Sequence, residues 1–334
     1  MPPTTNRTAQ IKDELTFTKT ALANKKSVVS VLAKHSDKFV PEARGYYPGT
    51  GLAMLLLSAM RLNENDICKI YSKGNAKYHH LDLEKANDWL VSRVLPNTVS
   101  LDATEPDFRR LLAFSLANPY KMLSGETKAT MSEKSQRTKQ RDFMQIVSDT
   151  FLGKIGEIVF RKFAFEKFGQ RINLDWDFSP NIAGYKTDLI GSNVIVSIKS
   201  LDTLESIWAD APSEARLAVW VRLAIPKDYF LKLLATISSL TKLLNFVKTD
   251  LSEQDHDISD MADYIGGEAR KTTLAITGFV CGYYHPSDVT LRHEGEELAY
   301  FGEVKGSKHL LRANELLYSA NDWARFFSEA LPSQ

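Results

Sequence analysis

The sequence predicts a mixed α/β protein, and three observations lead to this fold class. Residues 1–120 lack period-two alternation and carry apolar residues at helical spacing. A long helical pattern occupies residues 142–168. Short apolar runs bounded by turn residues then alternate with further helical segments. This order indicates a mixed β-sheet core flanked by helices and preceded by a mostly helical N-terminal region.

The helices expected in the N-terminal region each have a local signal. A break at Pro48-Gly49 precedes the apolar run that follows Thr50, and Asp82 opens a segment with helical spacing. The last candidate helix of this region is expected to end at Pro119. The predicted helical segments are 11–40, 49–71, 82–95 and 105–120.

A polar, basic stretch at residues 124–141 predicts a linker or exposed loop. It divides a helical region at 1–123, expected to recognise DNA or to dimerise, from a second domain at 142–334. The basic side chains of this stretch could contact DNA phosphates, although basic residues are equally expected in a solvated linker. The four candidate phosphate contacts are Lys134, Arg137, Lys139 and Arg141.

The second domain is predicted to open with a helix that stops at Gly169, a good C-terminal signal. Strand-like runs and two more helical patterns follow it. The predicted strands are 172–176, 185–190, 194–201, 216–225 and a strand pair within 272–284, and the predicted helices are 226–248 and 313–331.

Composition excludes several classes of protein. The chain is 43% hydrophobic and 25% charged, as in ordinary globular proteins, and has no apolar run of about 18 residues that would predict a membrane span. Its first residues do not have the pattern of a secretory signal. The two cysteines, Cys68 and Cys281, cannot alone form a disulfide framework or a four-ligand zinc site. We therefore expect a cytoplasmic protein that does not associate with a membrane.

Polar residues within the stretch TDLIGSNVIVSIKS, residues 187–200, point to chemistry. If Ser192 and Asn193 form a two-residue turn, Asp188 lies opposite Ser197, and Lys199 shares their face of the hairpin. A carboxylate can bind a divalent metal, and an ammonium one strand away can orient a water beside a phosphodiester. Each residue also has an ordinary explanation, because Asp is common in turns and a lysine at a strand end extends into solvent.

A second carboxylate is available in the preceding helix. Glu157 lies in the long helix just before the strands, close to Gly153 and Gly156, and small residues allow another backbone or a ligand to come close. The alternative for Glu157 is an exposed helix surface on which it pairs with Lys154 or Arg161.

This arrangement resembles the PD-(D/E)xK nuclease superfamily, whose best-known members are type II restriction endonucleases. The resemblance covers about residues 150–225: a glutamate in a leading helix, then TDLI, a short turn, VSIKS and the strand AVWVRL. It implies a restriction-endonuclease-like core in which Asp188 binds Mg²⁺ and Lys199 helps to activate the attacking water. Ser197 stands where the family usually has Asp or Glu. Glu157 is the first choice to replace that acid, and Glu205 and Glu214 are the second.

The resemblance further implies a Mg²⁺-dependent endonuclease that cuts double-stranded DNA as a homodimer and leaves 5′-phosphate ends. We expect a sequence-specific restriction enzyme. A repair or phage-defence nuclease of the same fold, and a DNA-binding protein whose nuclease site has degenerated, stay open as alternatives. An unrelated α/β interaction protein would show no salt-dependent DNA binding.

Overall fold

The computed structural model describes residues 15–62, 64–102, 104–123, 143–177, 187–211, 214–236, 241–246, 260–261, 263–267, 275–304 and 306–332. The strands in this part of the chain are β1 (Thr16–Thr18), β2 (Cys68–Lys73), β3 (Ala76–Leu81), β4 (Thr98–Asp102), β5 (Asn173–Leu174), β6 (Leu189–Ile190), β7 (Val196–Leu201), β8 (Trp208–Ala211), β9 (Leu217–Ala224), β10 (Ala275–Tyr284), β11 (Leu291–Arg292), β12 (Glu297–Leu298), β13 (Gly302–Glu303) and β14 (Lys308–Arg312).

Helices occupy much of the remaining chain. They are α1 (Lys19–Ala23), α2 (Lys25–Lys34), α3 (Pro41–Tyr46), α4 (Thr50–Leu62), α5 (Glu64–Ile67), α6 (Leu83–Trp89), α7 (Pro106–Leu123), α8 (Phe143–Phe168), α9 (Tyr229–Thr236) and α10 (Ala320–Ala330). Residues 90–94 extend α6 as a π-helix. The expected mixed α/β class is therefore confirmed.

A four-stranded mixed sheet lies at the centre of the molecule, in the order β4-β10-β9-β7. Strand β10 runs antiparallel to both β4 and β9, whereas β9 and β7 are parallel. A parallel pair requires a crossover connection. Here the crossover from β7 to β9 contains β8, which pairs with β14 in a second sheet in the order β11-β14-β8. Strand β7 forms one edge of the central sheet.

Both faces of the central sheet are covered, which explains why β9 is almost wholly apolar. Val219 and Val221 belong to a core that contains residues of α8 and α10. Trp220 belongs to a second core formed with the N-terminal helices. Arg222 lies on this second side and donates a hydrogen bond to the hydroxyl of Ser58 in α4 at 2.9 Å.

Helix α8 packs unusually close to the sheet, and glycines make this possible. A Cβ atom added at Gly156 would lie 2.3 Å from the Cβ of Ser200 in β7, and one added at Gly278 in β10 would lie 2.3 Å from Val159. The helix ends as predicted before Gly169, which has a φ of +67°. Glu157, next to Gly156, is thereby held close to β7.

The N-terminal region is not as helical as predicted. Strands β2 and β3 form a hairpin, with β1 beside β3, and β4 joins the central sheet as the neighbour of β10. The central sheet thus takes strands from both sides of residues 124–141, so the boundary predicted there does not separate two sheets or two cores.

Two smaller expectations are also corrected. The predicted strand pair at 272–284 is the single strand β10, which has a bulge between Val280 and Gly282. Helix α7 does not end at Pro119 but continues to Leu123 with the proline inside it. Among the described residues, no helix is both long and apolar enough to cross a membrane.

Candidate active site

The site begins at Asp188, which lies beside the edge strand β7. The backbone N–H of Asp188 donates to the carbonyl of Val196 at 2.9 Å, and Thr187 Oγ1 accepts a hydrogen bond from the N–H of Val196. Asp188 Oδ2 accepts a bond from the N–H of Ile198 at 2.6 Å. The carboxylate therefore contacts the peptide group that joins Ser197 to Ile198.

The predicted register of this hairpin is wrong by one residue. Asp188 is bonded across to Val196 rather than placed opposite Ser197. The connection is longer than the expected two-residue turn: Gly191 has a φ of +77°, and the Ser192 hydroxyl donates to the carbonyls of Leu189 and Val194. Strand β6 has only two residues and pairs with β5, so it does not extend a regular ladder along β7.

Ser197 and Lys199 lie on the same side of β7, as strand alternation requires. In the parallel pair with β9, Ser197 is the partner of Ala218 and Lys199 the partner of Trp220. Ser197 is buried and Lys199 is exposed. The intervening Ile198 belongs to the core on the α8 side of the sheet. Lys199 therefore approaches the sheet edge from the face opposite to α8.

Glu157 approaches the same edge from α8, and it is not on an exposed helix surface. Its Oε2 is 2.6 Å from Lys154 Nζ, and both side chains are only 9% exposed. Lys154 also donates to the carbonyl of Asp175 at 2.6 Å. Arg161, the other partner considered for Glu157, pairs with Asp107 instead. The alternative considered from the sequence placed Glu157 on an exposed helix surface, paired with Lys154 or Arg161. It is correct about Lys154 as the partner and wrong about the exposure of Glu157.

Aromatic rings enclose the Lys154 ammonium. Its Nζ lies 5.0 Å from the ring centre of Phe114 and 5.3 Å from that of Trp176. Such contacts favour a cation over an aromatic face. Two hydrogen bonds and two rings fix this lysine between α7, α8 and the end of β5.

Burial and like charge raise the pKa values of both carboxyl groups. Burial, followed by the charge of Asp188, raises the pKa of Glu157 to about 8, and the Lys154 ammonium opposes this rise without cancelling it. Burial also raises the pKa of Asp188, while the Ile198 N–H and the charges of Lys199 and Lys154 oppose the shift. Asp188 thus senses lysines on both faces of the sheet edge.

The other candidate acids do not join this group. Glu205 forms an ion pair with Lys25 of α2, on the side of the N-terminal helices. Glu214 is exposed in the segment that precedes β9. Of the three glutamates proposed to replace the missing acid at Ser197, Glu157 is the one whose pKa the charge of Asp188 raises. The four basic residues Lys134, Arg137, Lys139 and Arg141 lie outside the described residues.

The acid pair has the right chemistry for Mg²⁺, which usually takes one or two carboxylates and completes its shell with water and phosphate oxygens. Burial raises the pKa of both carboxyl groups, and a cation beside them would oppose this rise by favouring the ionised forms. In the part of the chain that the structure describes, no group of three or more His, Cys, Asp or Glu could hold a metal ion. Among the described residues of this group, Glu157 and Asp188 are two carboxylates that could contribute to a site with fewer protein ligands.

Sequence reasoning named Lys154 as a possible partner of Glu157 but did not place it in a buried site, and it missed Asp175. Lys154 has the i,i+3 spacing to Glu157 that marks an ion pair, but the spacing does not reveal burial. Asp175 was visible only as the single acid in a short predicted strand.

The chain matches no protein-family model, no curated protein and no solved structure.

Proposed function

We propose that this protein is a Mg²⁺-dependent endodeoxyribonuclease whose active site comprises Asp188, Glu157 and Lys199. The observation that carries the proposal is the position of Asp188 at the free edge of β7, where its charge raises the pKa of buried Glu157 on one face of the sheet and it interacts with exposed Lys199 on the other. Glu157 comes from α8, Asp188 from the residue before β6 and Lys199 from β7, and the parallel strand β9 follows. This is the order on which the resemblance to PD-(D/E)xK nucleases rests.

Each residue has a task in phosphodiester hydrolysis. Glu157 and Asp188 would hold Mg²⁺, which when bound supplies positive charge to the phosphate and lowers the pKa of a water. Lys199 would donate hydrogen bonds to the attacking water and to the phosphate oxygens, where charge develops. Attack of this water on phosphorus breaks the P–O3′ bond, and the products are a 5′-phosphate and a 3′-hydroxyl, as the resemblance implies.

Cleavage of plasmid DNA tests the proposal. Parent protein should nick or linearise plasmid with Mg²⁺ and be inactive in EDTA, and Asp188→Ala and Lys199→Ala should each lower the rate by about 100-fold or more. Glu157→Gln should behave similarly. Glu166→Gln is a matched control because Glu166 is in the same helix and pairs with Lys162 instead. Full activity of Asp188→Ala or Lys199→Ala would contradict the site.

A second candidate, a DNA-binding protein with a degenerate nuclease site, is favoured by one contact. The ammonium of Lys154 already lies against Glu157 Oε2, where a cation could bind, and Ser197 supplies no charge. Such a protein would bind DNA with strong salt dependence but show no cleavage at any Mg²⁺ concentration.

A further inference from the structure

A cleft of about 960 Å³ opens at the carboxyl ends of the parallel strands β7 and β9. Its lining includes Asp202 and Lys227, which follow these strands, and Tyr46 at the end of α3. Ser148 and Leu152 of α8 contribute a further wall. In open α/β sheets, ligands commonly bind outside the carboxyl ends of the strands, yet the catalytic scheme above uses none of these residues.

We propose that this cleft receives a nucleobase that leaves the DNA stack close to the scissile phosphate. The inference rests on the proposed nuclease function for the identity of the ligand as DNA. The substrate class it names is DNA with an unpaired or easily extruded base near the site of cleavage.

The aromatic residues of the cleft suit a flat ligand. The ring of Tyr229 is stacked on Phe151, with centroids 4.8 Å apart and planes 27° apart, and its hydroxyl lies 3.4 Å from the hydroxyl oxygen of Ser148. These contacts fix the orientation of the Tyr229 ring. Tyr46 is 38% exposed and offers a second aromatic surface. Extruded bases are held by such stacking together with hydrogen bonds to their edges.

The charge of the lining favours a base over a phosphate. Two carboxylates, Glu42 and Asp202, and one ammonium, Lys227, line the cleft. This balance repels a phosphate group but leaves donors and acceptors for an uncharged polar ring. Hydroxyls of Ser100 and Thr277 add further hydrogen-bonding groups.

The cleft is within reach of the catalytic residues. Leu152 precedes Glu157 by five residues, about 7.5 Å along the helix, and Asp202 follows Lys199 by three residues, about 10 Å along the strand. The Ser200 hydroxyl donates to the Leu152 carbonyl at 2.8 Å and ties these two walls together. At about 3.4 Å per nucleotide, the extruded base would lie within about three nucleotides of the scissile phosphate.

Fluorescence anisotropy with the full-length protein in EDTA tests the inference without cleavage. A labelled duplex with a single-nucleotide bulge should bind about tenfold more tightly than the same duplex fully paired. Tyr46→Ala and Tyr229→Leu should each reduce this preference to about threefold or less. Tyr120→Ala is the control, because Tyr120 is 66% exposed in α7 and does not line the cleft.

The outcomes separate this inference from the proposed function. If the parent shows no preference for the bulge, or if the preference survives both tyrosine substitutions, the inference is overturned even where Mg²⁺-dependent cleavage is observed. If the preference depends on the tyrosines but no cleavage occurs, the cleft binds a base and the nuclease assignment fails. Tyr46 is at the surface, so its substitution tests the cleft even if Tyr229→Leu does not fold.

Discussion

At the scale of single residues, Glu157 is unusual because its ionised form is disfavoured in the folded protein. Its pKa is about 8, compared with 4.5 for an ordinary glutamate, and burial is the largest cause. The Lys154 ammonium at 2.6 Å reduces this penalty but does not remove it. A proton or a metal ion must therefore neutralise much of the remaining charge. A group of this kind is characteristic of functional sites.

This pKa predicts how stability depends on pH. Between about pH 4.5 and 8, unfolding releases the proton that folded Glu157 retains, so the free energy of unfolding falls as pH rises through this window. Glu157→Gln cannot ionise. In EDTA it should gain stability relative to the parent, on the order of a few kcal/mol, between about pH 5 and pH 9. Urea denaturation at several pH values measures this difference.

Glu166→Gln serves as the control for that series, and its stability should run parallel to the parent. Saturating Mg²⁺ should also reduce the parent's loss of stability at high pH, because it favours the ionised carboxylates. Parallel curves for the parent and Glu157→Gln would show that the Glu157 carboxyl is not held as the structure indicates.

Sequence reasoning proposed Asp188, Lys199 and Glu157 as site residues but did not predict the environment of Glu157. Spacing along α8 predicts that Lys154 and Glu157 meet. Whether the pair is buried depends on Phe114 and Trp176, which come from other elements and contact Lys154 only in the folded chain. Local pattern contains no information about such contacts.

At the scale of elements, the approach of α8 to β7 places Glu157 at the sheet edge. Gly156 faces Ser200 with no room for a side chain, and the Ser200 hydroxyl is bonded to the Leu152 carbonyl. Gly153, one turn earlier in the same helix, has no atom within 4 Å of where its Cβ would lie. Close packing on β7 therefore requires a glycine at position 156, whereas packing does not require one at position 153.

Paired substitutions of these glycines test the close approach. Gly156→Ala should destabilise the protein by about 1–3 kcal/mol, because the added methyl group overlaps Ser200. Gly153→Ala should be neutral or stabilise by up to about 1 kcal/mol, since alanine favours a helix over glycine. Urea midpoints of the two variants and the parent decide the matter. Equal effects would mean that α8 does not pack on β7 at Gly156.

Long helices with periodic patterns were predictable, and so were the strands β5, β6, β7 and β9, but the strands of the N-terminal region were not. The helical run after residue 142 and its stop at Gly169 follow from spacing and a single glycine. Strands β2 and β3 were missed although Gly74-Asn75 between them is a hairpin signal. The predicted helix at 49–71 ran into β2, and no element was predicted for the residues of β3. The register at Asp188 was wrong because it depends on β6 pairing with β5, a contact between separate segments.

At the scale of the whole molecule, the N-terminal region and the proposed nuclease region share their interior. One core combines residues of α2 and α4 with residues of β9, β10 and the end of β14. Buried Arg93 donates to the carbonyls of Cys281 and Ala313. Helix α7 packs along α8, and β4 completes the central sheet beside β10. The site is thus supported by residues far from it in sequence.

This shared interior predicts that residues 142–334 do not fold alone. Without β4 the strand β10 would have an unpaired edge, and the N-terminal face of the sheet would expose its apolar residues to water. The fragment should aggregate or lack a cooperative thermal transition. Co-expression with a separate 1–141 chain should restore a soluble complex that copurifies and unfolds cooperatively.

The control for this experiment is Leu101→Asp in the shorter chain. Leu101 is fully buried in β4 and is the partner of Ile276 in β10, so a carboxylate there should prevent the two chains from assembling. A fragment of residues 142–334 that melts cooperatively at the temperature of the intact protein would contradict the shared core. It would restore the division into two independent domains, and β4 would then be an addition to a sheet that is stable without it.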